Sequence, residues 1–465
     1  MTDATLGYLE ISEASDRIRS GALSPVELTG AALERIDAKD HAIKAFVTRL
    51  DDQALADARA AEKRVSDGGY RGPLDGIPIV IKDLYDTKGV RTTSCSKVRE
   101  SYVPESDATT VARLRTAGAV ILGKVTTHEF AFGFDAPPTA NPWNTEHAPS
   151  GSSGGTGAAL AAGFCLGGTG SDTGGSIRAP AAACGVSGIK PTYGRVSKHG
   201  VAVLSWSLDH TGPMARSARD LAIMLNVMAG SDPLDPTTID VPVEDYVAAL
   251  NGDIAGVRIG VPRNYFFDQV EPAVEGAVRD AIRQLESLNA ELVEVTIPNL
   301  EHLIETFLTI VQSEAAAYHL DGFKGNAAKY NDDVRLLLEQ GQLILATSYV
   351  NALRSRAFIR DGIRQAFDEI DVLVTPGLPV TAIRRDTDVY RWPDGDELLF
   401  RAHARFNCPF NLAGLPGTTI PCGLSPEGLP VGLQIVGKPF EEAMSLRVAD
   451  AYQRATDWHK RRPPI

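Results

Sequence analysis

The sequence predicts an α/β fold: a large mixed, mostly parallel β-sheet flanked by helices. Three observations carry that reading. Short apolar segments such as Ile79-Val-Ile, Ala119-Val-Ile-Leu, Val257-Arg-Ile-Gly-Val and Asp371-Val-Leu-Val have strand length and β-branched content. Between several of them lie segments with helical spacing, and strands alternating with helices are the signature of parallel strands joined by crossovers. No Pro/Ser-rich linker, internal repeat or low-complexity tail divides the 465 residues. One large domain with an extensive core is therefore expected, carrying a helical elaboration.

Residues 1–70 read as an N-terminal helical segment packing on that core. Ser24-Pro25-Val26-Glu27 combines a capping serine, a proline at the first helical position and a glutamate three residues after the cap. Leu28, Ala32 and Ile36 then lie along one face. A further helix runs from about Asp52 to Val65 and stops at Asp67-Gly68-Gly69. Residues 71–465 form the main domain, with the helical elaboration at about 300–400. Its first strand, Ile79-Val-Ile-Lys82-Asp83, is apolar enough to be covered on both faces. A lysine held near the end of such a strand is partly desolvated, which lowers its pKa and makes the neutral amine accessible.

Asp107 is expected to cap a helix through Val111, Leu114 and Arg115 that ends at Gly118, before the next strand. Phe130, Phe132 and Phe134 follow at period two and are candidates for a substrate wall. Strand 257–261, a helix from about Pro272 to Leu288 and strand 292–295 make another unit. Residues 300–370 are helical in pattern, and 371–376 read as a strand. Arg384 to Glu397 reads as a polar exposed loop whose Arg384 and Arg385 could clamp a carboxylate. Strands at 418–421 and 430–436 and a helix near Glu441–Arg454 close the chain.

The stretch Ser150–Arg178 is the one the rest serves. It holds ten glycines yet encloses Gly157-Ala-Ala-Leu-Ala-Ala, which is helix material and foreign to a flexible linker. Glycines this dense in a folded segment mark tightly bent backbone and close approach of a partner to its N–H groups. Gly170-Ser-Asp-Thr-Gly-Gly-Ser176 therefore reads as a nest of donors around an anionic atom. Asp172 and Arg178 flank it as a structural pair that holds its shape.

Other chemistries are excluded or disfavoured. A net charge of −13 argues against a nucleic-acid surface, which needs a basic face. Five cysteines, odd in number and without a CxxC pair, read as free thiols. The start of the chain has no basic and apolar leader and no apolar run reaches a membrane span, so a cytoplasmic protein is expected. The histidines show no zinc spacing, so neither metal nor cofactor is expected. Gly151-Ser-Ser153-Gly-Gly spells G-x-S-x-G but lacks a preceding strand. What remains is a serine without a histidine partner, a lysine on a buried strand and a nest of amides. Residue reasoning alone cannot bring Lys82 to Ser176 across ninety-four residues.

GSSGG…GSDTGGSIRAPAAACGVSGIKPTYGRVS resembles the amidase signature family over some fifty residues. GPLDGIPIVIKD around Lys82, the Asn-Pro-Trp turn, SLDHTGPMARS and GLPVGLQIVGKPF extend the likeness across nearly the whole chain. The resemblance implies a Ser-cisSer-Lys triad with Ser176 as nucleophile, Ser152 as bridging serine and Lys82 as base, and Ser153 supporting the network. It also implies an oxyanion site made by the N–H groups of Thr173, Gly174, Gly175 and Ser176. The expected activity is hydrolysis of a small-molecule amide or carbamate through a seryl acyl-enzyme, without nucleic acid or membrane, by the chain alone or as a homodimer. Phe130, Phe132, Phe134, Ser150, Gly151 and Trp206 are expected to line an apolar or aryl pocket. The family alternative is the glutamine-hydrolysing component of a tRNA-dependent amidotransferase, its A subunit. Pro149-Ser150-Gly151, where the family commonly has Pro-Gly-Gly, and a short Asp135–Ala140 link are departures near the substrate entrance.

Overall fold

A computed structural model describes residues 6–385 and 387–465. The first five residues, which the reading of the chain's start includes, and Asp386 of the 384–397 stretch lie outside the described residues. The first elements described in full are α1 (Ile11–Arg19) and α2 (Pro25–Ile43). Ser24 caps α2 as expected: its Oγ accepts from the N–H groups of Val26 (3.0 Å) and Glu27 (3.3 Å). Next come β1 (Phe46–Arg49), α3 (Asp51–Ser66), β2 (Pro78–Lys82), α4 (Thr109–Thr116) and β3 (Val120–Val125). Two expectations are corrected here. The N-terminal segment is not purely helical, because β1 pairs antiparallel with β3 and extends the sheet. The cap of α4 is Ala108; Asp107 instead accepts the N–H of Lys88 at 2.7 Å, which satisfies its carboxylate one residue too early to cap.

The central part runs α5 (Gly154–Ala161), β4 (Gly167–Asp172), α6 (Arg178–Cys184), β5 (Ser187–Lys190), β6 (His210–Ala215) and α7 (Ala218–Met228). A second strand–helix unit follows as β7 (Arg258–Pro262), α8 (Pro272–Ser287) and β8 (Glu291–Val295). The elaboration is α9 (Leu303–Phe323), α10 (Asp332–Gln342) and α11 (Ala346–Ala366). The chain closes with β9 (Val372–Pro376), β10 (Val389–Trp392), β11 (Gly395–Leu398), α12 (Leu399–Arg405), α13 (Cys408–Leu412), β12 (Gly417–Leu424), β13 (Pro430–Gly437) and α14 (Glu442–Ala455). β10 and β11 form a separate two-stranded hairpin where a loop was expected, since Val389–Trp392 pairs residue by residue with Gly395–Leu398.

Eleven strands form one sheet in the order β1-β3-β2-β4-β6-β5-β12-β13-β9-β7-β8. The large mixed sheet flanked by helices is the expected fold class, but its parallel share is smaller than "mostly". Four of the ten pairings are parallel, confined to β3-β2-β4 and β9-β7-β8. The pairings between those groups are antiparallel. The β12–β13 connection shows the reason: a handful of residues can turn a hairpin but cannot make the dozen-residue crossover that a parallel pair requires.

Every residue of β2, β3, β4, β9 and β13 is buried. Successive side chains point to opposite faces, so both faces of the sheet are covered. Lys82 and Asp172 thus emerge at the ends of buried strands, where nearby loops meet. Among the described residues no helix is long and apolar enough to cross a membrane.

Candidate active site

Lys82 ends β2 and is completely buried. Its own N–H is tied to Thr169 Oγ1 of β4 at 3.0 Å, which fixes the strand end. Its Nζ lies 2.7 Å from Ser152 Oγ, 2.9 Å from Ser153 Oγ and 2.9 Å from Ser171 Oγ. Burial pushes the ammonium down to about 7, against the upward pull of the Asp172 and Asp209 carboxylates. Both protonation states are therefore accessible near neutrality. A neutral amine has two N–H bonds and one lone pair, so in that form one of the three hydroxyls donates to it.

Ser152 and Ser153 come from the turn ahead of α5, where Ser150 has φ +60° and the Gly151–Ser152 peptide is cis. That turn is bonded to its neighbours through main-chain groups. His128 N–H donates to Ser152 O at 3.3 Å, and Ser153 N–H donates to Ser176 O at 3.1 Å. The second bond brings Ser176 beside the lysine cluster, which sequence spacing could not do. Ser171 is the member missed by sequence reasoning. Its only signal was its place on the Gly-rich strand one residue before Asp172.

The nest is held from below by Asp172. Its carboxylate accepts from the N–H groups of Gly175 (2.9 Å) and Ile177 (3.1 Å), and from Arg178 Nε (3.0 Å) and Nη2 (2.9 Å). Burial alone would raise the Asp172 pKa, but the Arg178 guanidinium, with Lys190 and Asn411, holds it well below the usual carboxylate range. Arg178 is satisfied further by Gln434 Oε1 (2.6 Å) and Asn411 Oδ1 (2.7 Å). The expected structural pair is thus a buried network tying α6 to α13 and β13. Gly175 spends its N–H on Asp172, whereas those of Thr173, Gly174 and Ser176 meet no partner among the described residues. From above, Asp209 accepts from Thr173 Oγ1 at 2.6 Å.

The nest needs its glycines. Gly175 has φ +128°, and a Cβ there would come 2.6 Å from Asn407 Cβ; one at Gly174 would come 2.5 Å from the Phe307 ring. Gly175→Ala is expected to cost about 1–3 kcal/mol through backbone strain and to lower kcat by displacing the nest. Denaturant unfolding beside steady-state kinetics checks both effects.

Ser176, Thr173 and Gly174 open onto a cavity of about 600 Å³. Its wall is apolar, with Phe132, Phe134, Phe307 and Phe400 among the lining residues, and Asp135, Asp333, Asp388, Arg384 and Arg385 stand among the polar ones. Of the pocket candidates Phe132 and Phe134 line this cavity; Phe130, Trp206, Ser150 and Gly151 do not. Phe130 sits in a short 3₁₀ turn with φ +49° that aims its ring into the core, 4.5 Å from His319 and 5.8 Å from Tyr330. Trp206 is 52% exposed on the surface beside Lys198. Ser150 and Gly151 are buried behind the wall, Gly151 so close to Asp135 that a Cβ would meet its carbonyl at 2.1 Å. Phe307 of α9 and Phe400 of α12 take the missing places, supplied by the region whose sequence carries least signal of chemistry. Arg384 is paired with Glu146 at 2.9 Å and Arg385 donates to Pro138 O at 2.9 Å. Among the described residues no group of three His, Cys, Asp or Glu side chains is placed to hold a metal ion.

Such a fold, with a desolvated lysine among serines behind an apolar cavity that Ser176 lines, is that of a hydrolytic α/β enzyme. The sequence profile of the Amidase family matches residues 27–446, and the chain belongs to that family, the amidase signature hydrolases acting on carbon–nitrogen bonds. It is 44% identical over 491 aligned positions to the A subunit of a glutamyl-tRNA(Gln) amidotransferase from Roseiflexus castenholzii, covering 99% of this chain and 98% of that protein. It is equally 44% identical over 464 positions to an amidase from Pseudomonas putida, covering 99% of each. Among solved structures, one reported as a vestigial protein complex revealing the origins of an s-triazine catabolic enzyme superposes with a TM-score of 0.92. That pair shares 35% identity over 96% of this chain and 98% of the other.

Proposed function

We propose that this protein is a stand-alone amide hydrolase that works through a seryl acyl-enzyme, with Ser176 as nucleophile, Ser152 as relay and Lys82 as base. The observation that carries the reading is the fully buried Lys82 Nζ within 2.9 Å of three serine hydroxyls, one main-chain hydrogen bond from Ser176. A serine hydroxyl is a poor nucleophile until a base takes its proton. In this reading Ser176 attacks the amide carbonyl while its proton passes to Ser152 and the Ser152 proton passes to neutral Lys82. The free N–H groups at Thr173, Gly174 and Ser176 donate to the oxyanion. Collapse returns the proton to the departing amine, and water cleaves the ester over the same relay. Ser153 and Ser171 hold the amine in place. The apolar, aromatic cavity supports aryl or otherwise apolar substrates, with anilides and aryl carbamates within the class.

The amidotransferase component is the second reading, favoured by the identity to the Roseiflexus protein. Two observations support the stand-alone enzyme instead. Alignment with the Pseudomonas amidase needs 464 positions for this chain of 465 residues, whereas the Roseiflexus protein needs 491. The aromatic side chains of the wall, Phe132, Phe134, Phe307 and Phe400, also support an aryl substrate body over the short aliphatic one of glutamine. A panel of aliphatic amides, anilides, aryl carbamates and glutamine tests the choice. Aryl amides should be cleaved faster than acetamide and glutamine; a preference for glutamine would favour the amidotransferase reading.

The pH profile follows from the lysine. Lys82 must be neutral to accept a proton, and burial places its pKa at about 7. With an uncharged substrate kcat/KM should rise about tenfold per pH unit below 7 and level off above it. A profile flat from pH 5 to 9 would remove Lys82 from the role of base.

A further inference from the structure

His403 of α12 lines the same cavity in its aromatic corner, with the Phe134 ring 6.2 Å away and the Phe400 ring packed against Phe134 at 5.7 Å. It is only 2% exposed. Three other buried histidines among the described residues place a ring nitrogen on a partner, and a fourth has a carboxylate nearby. His128 meets Asp333, His210 meets Leu208 O and His319 meets Tyr330, while the Glu10 carboxylate lies 3.7 Å from His459 Nε2. His403 alone of these has no side-chain partner: Nδ1 is wholly buried without one, and no hydrogen bond to Nε2 is formed by any described residue. A polar group buried without a partner is unfavourable and calls for an explanation. The simplest one is that its partner arrives with the substrate.

We infer that His403 is a specificity-determining residue that hydrogen-bonds an uncharged polar group, a hydroxyl or amide, on the apolar body of the substrate. The inference rests on the amide-hydrolase reading and narrows its substrate class. Position supports it. Asn407, four residues on, donates to His403 O at 3.3 Å and is the residue a Cβ on Gly175 would strike. The imidazole also lines the same cavity as Thr173, Gly174 and Ser176 of the nest. Chemistry sets the charge of the partner. Burial pushes the imidazole down to about 4, so at neutral pH it offers one N–H donor and one lone pair. A carboxylate would meet a neutral ring among aromatics. Nor does the wall offer a surplus of cations, since Arg384 and Arg385 are accompanied by Asp135, Asp333 and Asp388.

The test compares phenylacetamides bearing a 3- or 4-hydroxyl with their methyl and carboxylate counterparts. Within each protein the ratio of kcat/KM values is independent of the folded fraction. The wild type is expected to favour the better hydroxyl isomer over its methyl isostere by about tenfold, the worth of one hydrogen bond. His403→Leu should abolish that preference, and His403→Gln, which keeps a donor and an acceptor, should retain part of it. A ratio carried unchanged into both variants, or a wild-type preference for the methyl or carboxylate series, overturns the inference and leaves the amide-hydrolase reading standing. A wild type that hydrolyses none of these and no other amide overturns that reading instead. Binding then still decides the inference: in Ser176→Ala protein the ¹⁵N resonances of His403 should move with the hydroxylated amide and not with its methyl isostere.

Discussion

Ser176→Ala is expected to lower kcat/KM on the best amide by roughly 10⁴–10⁶-fold, the scale seen when a seryl nucleophile is removed. Lys82→Ala should cost at least about 10²–10⁴-fold as loss of general-base assistance. Lys82 Nζ also organises three hydroxyls, at 2.7, 2.9 and 2.9 Å, so its removal scatters the relay and the larger figure is the expectation. The two losses should not add. Once the nucleophile is gone there is no proton for the lysine to take, and the double variant should fall no lower than Ser176→Ala alone. Single-turnover assays on purified variants measure this directly. Activity within tenfold of wild type in Ser176→Ala would place the nucleophile elsewhere, whereas additive losses would mean that the two residues act independently.

Arg178→Met is expected to destabilise the protein by about 3–5 kcal/mol, because it strips the partner from a carboxylate with no exposed surface. Asp172 would keep the N–H groups of Gly175 and Ile177 and the amide of Asn411, but no longer a full opposite charge. The wild-type carboxyl is held well below its unfolded value, so its contribution to stability is fully present above the ordinary carboxylate range and is lost only as pH falls below that range toward the lowered native value. In Arg178→Met the carboxyl is left to burial, which raises its pKa, and the deficit should shrink toward acid pH as the lone charge is neutralised. Urea unfolding at neutral and mildly acidic pH checks both the size and the sign. Equal stability of the two proteins at neutral pH would show that the pair is not the keystone of the nest.

The same two sites show how far the sequence could be read. Lys82 was legible because an apolar run of strand length brackets it, and desolvation follows from burial of the strand. The nest was legible because glycine at that density has few other uses. The Asp172–Arg178 pair was legible from charges placed six residues apart in an otherwise small and apolar stretch. Resemblance to the amidase signature family joined these pieces and supplied Ser152. The Ser24 cap and the helix boundaries near 51–66 and 272–287 followed from local chemistry, which acts within one turn and so leaves its mark on consecutive residues.

Ser171, Phe307, Phe400 and His403 left no such mark. The part of Phe307, Phe400 and His403 in the site depends on α9 and α12 folding over the nest from more than a hundred residues away, and periodicity reports the type of an element and not its docking partner. Phe130 and Trp206 stand outside the cavity for the converse reason: closeness in sequence to the nest does not decide which way a ring points, and a 3₁₀ turn with positive φ sends Phe130 into the core. By itself the sequence determined the fold class, the buried lysine and the glycine nest, because each is a property of a short contiguous segment. The antiparallel centre of the sheet, the meeting of Ser176 with the lysine cluster and the aromatic wall were decided only by tertiary structure, since each is a contact between segments whose sequences are independent.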